Sequence, residues 1–236
     1  MAEADAKASV GALLALVAHD LRNPLSALHS NVGFLESSLG PKEQDSIDAL
    51  ADVVASCSSL KHIIDNLELL GLSVLDEPPH FERFASSLWE LAVEAVQRLE
   101  PIAKSYGARV SLEGDRFAAP RVVVQRDMFV RALGNLLFNA IQSGGSQGQV
   151  VVVVSGNGSR GIVTVSDSGP VLATALRGSA FTASGQLDCK GDPRGRYSRG
   201  LGLFAAATAA RFGGAEVRGV DGPNGKNSFE ITAPLA

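Results

Sequence analysis

The sequence has almost no cysteine. Cys57 and Cys189 are the only two in 236 residues, and neither has a partner at metal-ligand spacing. That excludes a disulfide framework and points to a reducing compartment. There is no surplus of basic charge: 21 Lys and Arg stand against 25 Asp and Glu, a net charge of −4, with a pI of about 5.6. Nothing in that balance attracts nucleic acid or an anionic membrane. Long hydrophobic runs are missing too. Val10 to Ala18 is nine residues, whereas roughly 20 are needed to span a bilayer. Met1-Ala2-Glu3-Ala4-Asp5 lacks the basic region of a signal peptide, and there is no internal repeat. These absences predict a soluble, cytoplasmic chain with no membrane span and no nucleic-acid partner. The composition, 45% hydrophobic and 19% charged, suffices for one or two domains with real cores.

Apolar periodicity organises the first third. Leu14, Val17, Leu21, Leu25, Leu28, Val32 and Leu35 recur at spacings of three and four, which predicts one helix over 5–38. Gly40-Pro41 breaks it. A second helix is predicted over 42–72, with Ile47, Leu50, Val54, Cys57, Leu60, Ile64, Leu67 and Leu70 as its seam. Two long helices joined by a short turn form an antiparallel hairpin. A hairpin this long leaves apolar stripes that a dimeric four-helix bundle would bury.

Asp76-Glu77-Pro78-Pro79 reads as a linker between a domain over 1–76 and another over 80–236. After it come a short strand at 81–84, a helix over 85–106 ended by Gly107, and strands at 108–112 and 121–124. A helix over 127–143 follows, with Asp127 near its N-terminus, where negative charge is favoured. Val150 to Ser155 and Gly161 to Val165 form a hairpin around Gly156-Asn157-Gly158. Residues 168–199 are poor in periodicity and rich in Gly, Ser, Arg and Asp, as functional or disordered loops are. A helix over 200–212 and strands at 215–220 and 228–232 complete the chain. The fold class is α+β: a helical hairpin, then a mixed sheet with helices on one face.

Four clusters carry chemistry. In Ala18-His19-Asp20-Leu21-Arg22-Asn23-Pro24-Leu25, His19 and Asn23 share a helical face, with Asp20 about a quarter-turn round. Pro24 has no N–H to offer the carbonyl of Asp20, so the helix loosens there. On the helix over 127–143, Leu133, Leu137, Ala140 and Ile141 are expected to be buried, and Asn135, Asn139 and Gln142 to line the other side. An asparagine oxygen is a hard ligand suited to Mg²⁺. Asp167-Ser168-Gly169-Pro170 places a carboxylate at a strand end, able to accept from an exocyclic amine, and a glycine where backbone can approach a flat ring. It is also ordinary turn chemistry. Finally, Arg199-Gly200-Leu201-Gly202 opens a helix whose N-terminal N–H groups suit an anion. Lys190, Arg194, Arg196 and Arg199 stand beside it to meet phosphates.

The order of these clusters resembles the sensor histidine kinase family over nearly the whole chain. AHDLRNPL is similar to its H box, LGNLLFNA to its N box and DSGP to the start of its G1 box. SRGLGL followed by RFGG is similar to its G2 box, Phe181 to its F-box aromatic, and Ser228-Phe229 to its closing strand. The resemblance implies a dimerisation and phosphotransfer domain over 1–76 and an ATP-binding α/β sandwich over 80–236. It implies that His19 accepts a phosphoryl group from ATP, that Asp20 orients the ring and takes its proton, and that Asn23 positions water for hydrolysis of the phosphorylated partner. Asn139 would hold Mg²⁺, with Asn135 beside the phosphates. Asp167 would bind the adenine amine and Gly169 would lie close to the ring, while Arg199, Gly200 and Gly202 would meet the phosphates. The implied partners are a second copy of the chain, the receiver domain of a response regulator, and a separate sensor or regulatory protein.

The pattern departs at two positions. Val171 stands where the G1 box usually has a second glycine, and Ser198 where the G2 box usually begins with one. Both add bulk where backbone should approach the nucleotide. A second reading follows: a histidine phosphotransfer protein that keeps His19 but takes its phosphoryl group from another protein. A third is a response-regulator phosphatase using Asn23.

Overall fold

The computed structural model describes residues 21–22, 25–26, 28–30, 32–33, 35, 37, 44–75, 80–145, 147–171, 179–182, 202–222 and 226–236. The chain divides into two compact units, Met1–Pro79 and His80–Ala236.

In the first unit the described residues between 21 and 37 are helical, and helix α1 runs over Gln44–Ser73. Leu25 packs with Cys57 and Ile64, and Leu67 lies against them. Three residues earlier, the Arg22 guanidinium bridges Asp65 at 3.1 Å and Glu68 at 3.0 Å. The partners move back along α1 as the chain advances, so the two helical segments are antiparallel. The predicted seam resolves into two stripes. Leu25 and Val32 are buried, as are Cys57 and Ile64. Leu21, Leu28 and Leu35, seven residues apart, are exposed within one chain, Leu28 at 54%, as are Leu60 and, outside the predicted seam, Val53.

The second unit begins with strand β1, Phe84–Ser87, and helix α2, Leu88–Ser105. The strand was expected at 81–84 and lies three residues later. Phe81 belongs instead to a packing contact: its ring sits 5.7 Å from that of Phe212. Ser87 ends the strand and caps the helix, its Oγ accepting from the Glu90 N–H. The helix therefore starts three residues later than the apolar pattern suggested. Strands β2 (Arg109–Glu113) and β3 (Arg121–Val124) follow, then helix α3 (Arg126–Gly144). Strands β4 (Gln149–Asn157) and β5 (Arg160–Asp167) form a hairpin. Its turn lies at Gly158-Ser159, one residue beyond the expected centre. The Asn157 side-chain oxygen accepts from Ser159 and Arg160 there, as asparagine does in turns. Helix α4 (Gly202–Gly213) and strands β6 (Glu216–Asp221) and β7 (Asn227–Pro234) close the unit.

The main sheet has the order β2-β4-β5-β7-β6, with β2 and β4 parallel and every other pair antiparallel. β1 and β3 form a separate antiparallel pair. Val150, Val152, Val154, Val163, Val165, Phe229 and Ile231 are buried, while most residues alternating with them on β4 and β5 are partly exposed. Helices cover one face of this mixed sheet, as expected. α3 is buried for most of its length, through Phe129, Leu133, Leu136, Leu137, Ala140 and Ile141. The alanines of α4 (Ala205, Ala206, Ala209 and Ala210) bring that helix close to it. Gly213 makes the approach possible at one end, since a Cβ there would lie 3.2 Å from the Phe129 nitrogen.

Candidate functional site

The site is laid out along α3. Gln125 caps the helix: its side-chain oxygen accepts from the Met128 N–H at 2.6 Å, and its own N–H donates to the Gly213 carbonyl at 3.0 Å. The start of α3 is thereby tied to the end of α4, and the two helices run antiparallel. Gly202, at the start of α4, arrives beside Asn135. A Cβ placed on Gly202 would lie 4.0 Å from Asn135 Oδ1.

Asn135 was expected to line the polar side of α3 and does not. It is only 2% exposed, between α3 and α4. Its Nδ2 donates to the Arg131 carbonyl at 3.0 Å, but its buried Oδ1 has no hydrogen-bond partner. One turn on, the buried Nδ2 of half-buried Asn139 has none either. A buried polar atom left unpaired costs about 1–3 kcal/mol. Asn66 and Arg160 also hold a buried polar atom without a partner; what sets Asn135 and Asn139 apart is that they lie one turn apart on α3, with Asn135 next to the glycine that opens α4. Gln142, the third amide of the expected row, is engaged already: its Nε2 donates to the Tyr106 hydroxyl at 3.3 Å.

The C-terminal end of α3 meets the turn after β5. Asp167 ends that strand at 1% exposure, in register with Val150 and Asn227. Its Oδ1 accepts from the Gly169 N–H at 2.8 Å. Ser168 exchanges hydrogen bonds with Gln149, N–H to carbonyl and Gln149 N–H to Ser168 Oγ, both at 3.2 Å. Gly169 lies so close to α3 that a Cβ would fall 2.5 Å from the Ser143 carbonyl oxygen. Close approach to a ring was the expected reason for a glycine here. The nearer reason is the last turn of α3. Asp167, Gly169, Asn139, Asn135 and Gly202 are thus gathered along one helix. Val171, which interrupts the expected glycine pattern, is 50% exposed.

Phe181 packs edge-on against Phe229, with ring centroids 5.9 Å apart at 89°. Beside Asp167 lies a buried polar group that the sequence reading missed. Ser166 and Ser228 share a hydrogen bond at 2.6 Å, and Asn227 is buried next to them. Its signal was an asparagine and a serine opening an otherwise apolar strand. His19, Asp20, Asn23, Ser198, Arg199 and Gly200 lie outside the described residues, as do Lys190, Arg194 and Arg196.

Among the described residues no cluster of His, Cys, Asp or Glu could hold a metal by itself. An amide oxygen plus phosphate oxygens remains a suitable Mg²⁺ donor set, because that ion keeps few protein ligands; at Asn139 the ligand would be Oδ1, while the unpartnered Nδ2 is a hydrogen-bond donor. No helix among the described residues is long and apolar enough to cross a membrane.

Comparison with known proteins agrees with this geometry. Residues 9–72 match the His Kinase A (phospho-acceptor) domain, and residues 124–236 the histidine kinase-, DNA gyrase B-, and HSP90-like ATPase family. The chain belongs to the sensor histidine kinase family. It is 35% identical over 129 residues to the methanogenesis regulatory histidine kinase FilI of Methanothrix harundinacea, covering 53% of this chain and 14% of FilI. It is 28% identical over 222 residues to the alginate biosynthesis sensor protein KinB of Pseudomonas aeruginosa, covering 92% of this chain and 36% of KinB. The chain therefore spans well under half the length of either relative. Among solved structures, full-length ShkA in complex with AMPPNP shares the fold at a TM-score of 0.57 and 21% identity, over 96% of this chain and 46% of that one.

Proposed function

We propose that the chain is an ATP-dependent protein-histidine kinase of a two-component system. In this reading residues 80–236 bind Mg²⁺ and ATP, and residues 1–76 dimerise and carry the acceptor, His19. ATP supplies the transferable γ-phosphoryl group when bound. Asn139 would hold the Mg²⁺, and Asn135, Arg199, Gly200 and Gly202 would meet the phosphates. Asp167 would accept from the adenine amine, with Gly169 beside the ring. The free nitrogen of the His19 imidazole attacks the γ-phosphorus as the bond to the β–γ bridging oxygen breaks, and ADP leaves. Asp20 orients the ring and takes its proton. The chain's contribution is positioning and charge neutralisation, as in phosphoryl transfer generally. The phosphoryl group then passes to an aspartate of a response regulator receiver domain, and Asn23 positions water for its later hydrolysis.

One observation carries the reading: Asn135 Oδ1 and Asn139 Nδ2 are buried without partners one turn apart on α3, and Gly202 lies next to Asn135. The ATPase family match over 124–236 disfavours the phosphotransfer reading. The exposed stripe of Leu21, Leu28 and Leu35 supports the dimer.

Melting of the full chain with Mg²⁺ and ATP tests this. At a hundred times Kd, binding adds about 2.7 kcal/mol, a rise of roughly 5–10 °C for a domain of this size. Asn139→Ala is expected to lose that rise, yet to melt no lower than the parent without nucleotide, since it removes an unpaired polar atom. A parent protein with no rise contradicts the proposal.

A further inference from the structure

Arg22 lies three residues after His19 and reaches across the hairpin to two carboxylates of α1, Asp65 at 3.1 Å and Glu68 at 3.0 Å. All three side chains are between 22% and 30% exposed. Partial burial opposes the charge on Arg22. The hydrogen bond to Asp65 and the negative charge of Glu68 outweigh it, holding the guanidinium above its ordinary pKa. Ion pairs this close to solvent contribute little to stability. What they do well is fix direction, because a guanidinium offers several donors in one rigid plane.

The place where direction is fixed matters. Leu25 anchors one side of Asn23-Pro24 by packing on Cys57 and Ile64. Arg22 anchors the other side, the one that leads to His19. Pro24 has no N–H, so this stretch has one backbone hydrogen bond fewer to hold it. Only three residues of chain, a reach of about 10 Å at full extension, separate His19 from the clamped Arg22 backbone. Displacing a reacting atom by about 1 Å can cost a hundredfold in rate.

We infer that Arg22 is a positioning residue for phosphoryl transfer: its clasp on Asp65 and Glu68 sets where the acceptor histidine stands relative to α1. The inference rests on His19 being the acceptor. It assigns Arg22 no contact with nucleotide. Its effect therefore belongs to the transfer rate and not to ATP affinity, and it depends on the pairing of charges and not on Arg22 alone.

The test uses the full chain and follows the initial rate of acid-labile labelling of His19 over a range of ATP concentrations. Arg22→Ala is expected to lower the limiting rate about tenfold or more, with KM for ATP within about twofold of the parent and dimer and melting temperature nearly unchanged. Exchanging the charges, Arg22→Glu together with Glu68→Arg, keeps one base and two acids in the network and is expected to restore much of the rate. Three outcomes overturn the inference. The first is Arg22→Ala labelling at the parent rate. The second is a loss that only follows a fall in melting temperature or dimer content. The third is an exchanged variant as slow as Arg22→Ala with normal melting, which would mean that Arg22 acts by its own charge. A parent chain that binds ATP but leaves His19 unlabelled overturns the kinase reading and this one with it, and is distinct from all three.

Discussion

Gly169 is the residue whose replacement is most informative. A methyl group there would press to 2.5 Å from the Ser143 carbonyl, and backbone cannot swing aside as a side chain does. Either the turn or the end of α3 must shift, carrying the Asp167 carboxylate that is bonded to the Gly169 N–H. Gly169→Ala is expected to destabilise the protein by about 1–3 kcal/mol, the usual penalty for overpacking. It should also weaken ATP binding at least tenfold, read by calorimetric titration. A variant that is destabilised but binds normally would separate the turn from the nucleotide site. At this scale the sequence was legible in part. The strand-end turn at Asp167 and Gly169 was recognisable from a carboxylate and a glycine. The burial of Asn135 was not, because an amide on an amphipathic helix reads as solvent-facing until a second helix is known to cover it. That cover depends on the alanines of α4 and on Gly213, some 70 residues away in the chain.

At the scale of elements, the hairpin shows why periodicity under-determines packing. Leu21, Leu25, Leu28, Val32 and Leu35 form one series by spacing, yet Leu25 and Val32 are buried while Leu21, Leu28 and Leu35 are exposed. Adjacent stripes on a helix share a repeat of three and four, so no spacing rule tells the inner partner from the outer one. The same limit moved β1: Phe81 is apolar enough for a strand, but the ring of Phe212 holds it elsewhere. The outer stripe is the expected dimer face. Leu28→Glu, at a position 54% exposed in the single chain, is expected to convert the dimer to monomer in sedimentation equilibrium. Ile64→Ala, in the buried stripe, is expected instead to lower stability by about 2–5 kcal/mol. A dimer that survives Leu28→Glu would place the interface on another face.

For the whole molecule, the order of the parts carries the function. A phospho-acceptor match over 9–72 precedes an ATPase match over 124–236, and each unit has its own core. Asn135 and Asn139 belong to α3, Gly202 lies next to Asn135, and Gly169, bonded to Asp167, lies against the last turn of that helix. Val171, which raised doubt about nucleotide handling, turns half of its surface to solvent. The central claim is that this assembly moves a phosphoryl group from ATP to one histidine. The direct measurement is labelling of the full chain with ATP carrying γ-³²P, followed by acid and base treatment, for the parent and for His19→Gln. Label that is lost in acid, kept in base and absent from a His19→Gln variant that still dimerises is the predicted result. Label that persists in His19→Gln, or a parent that takes up none, would contradict the claim.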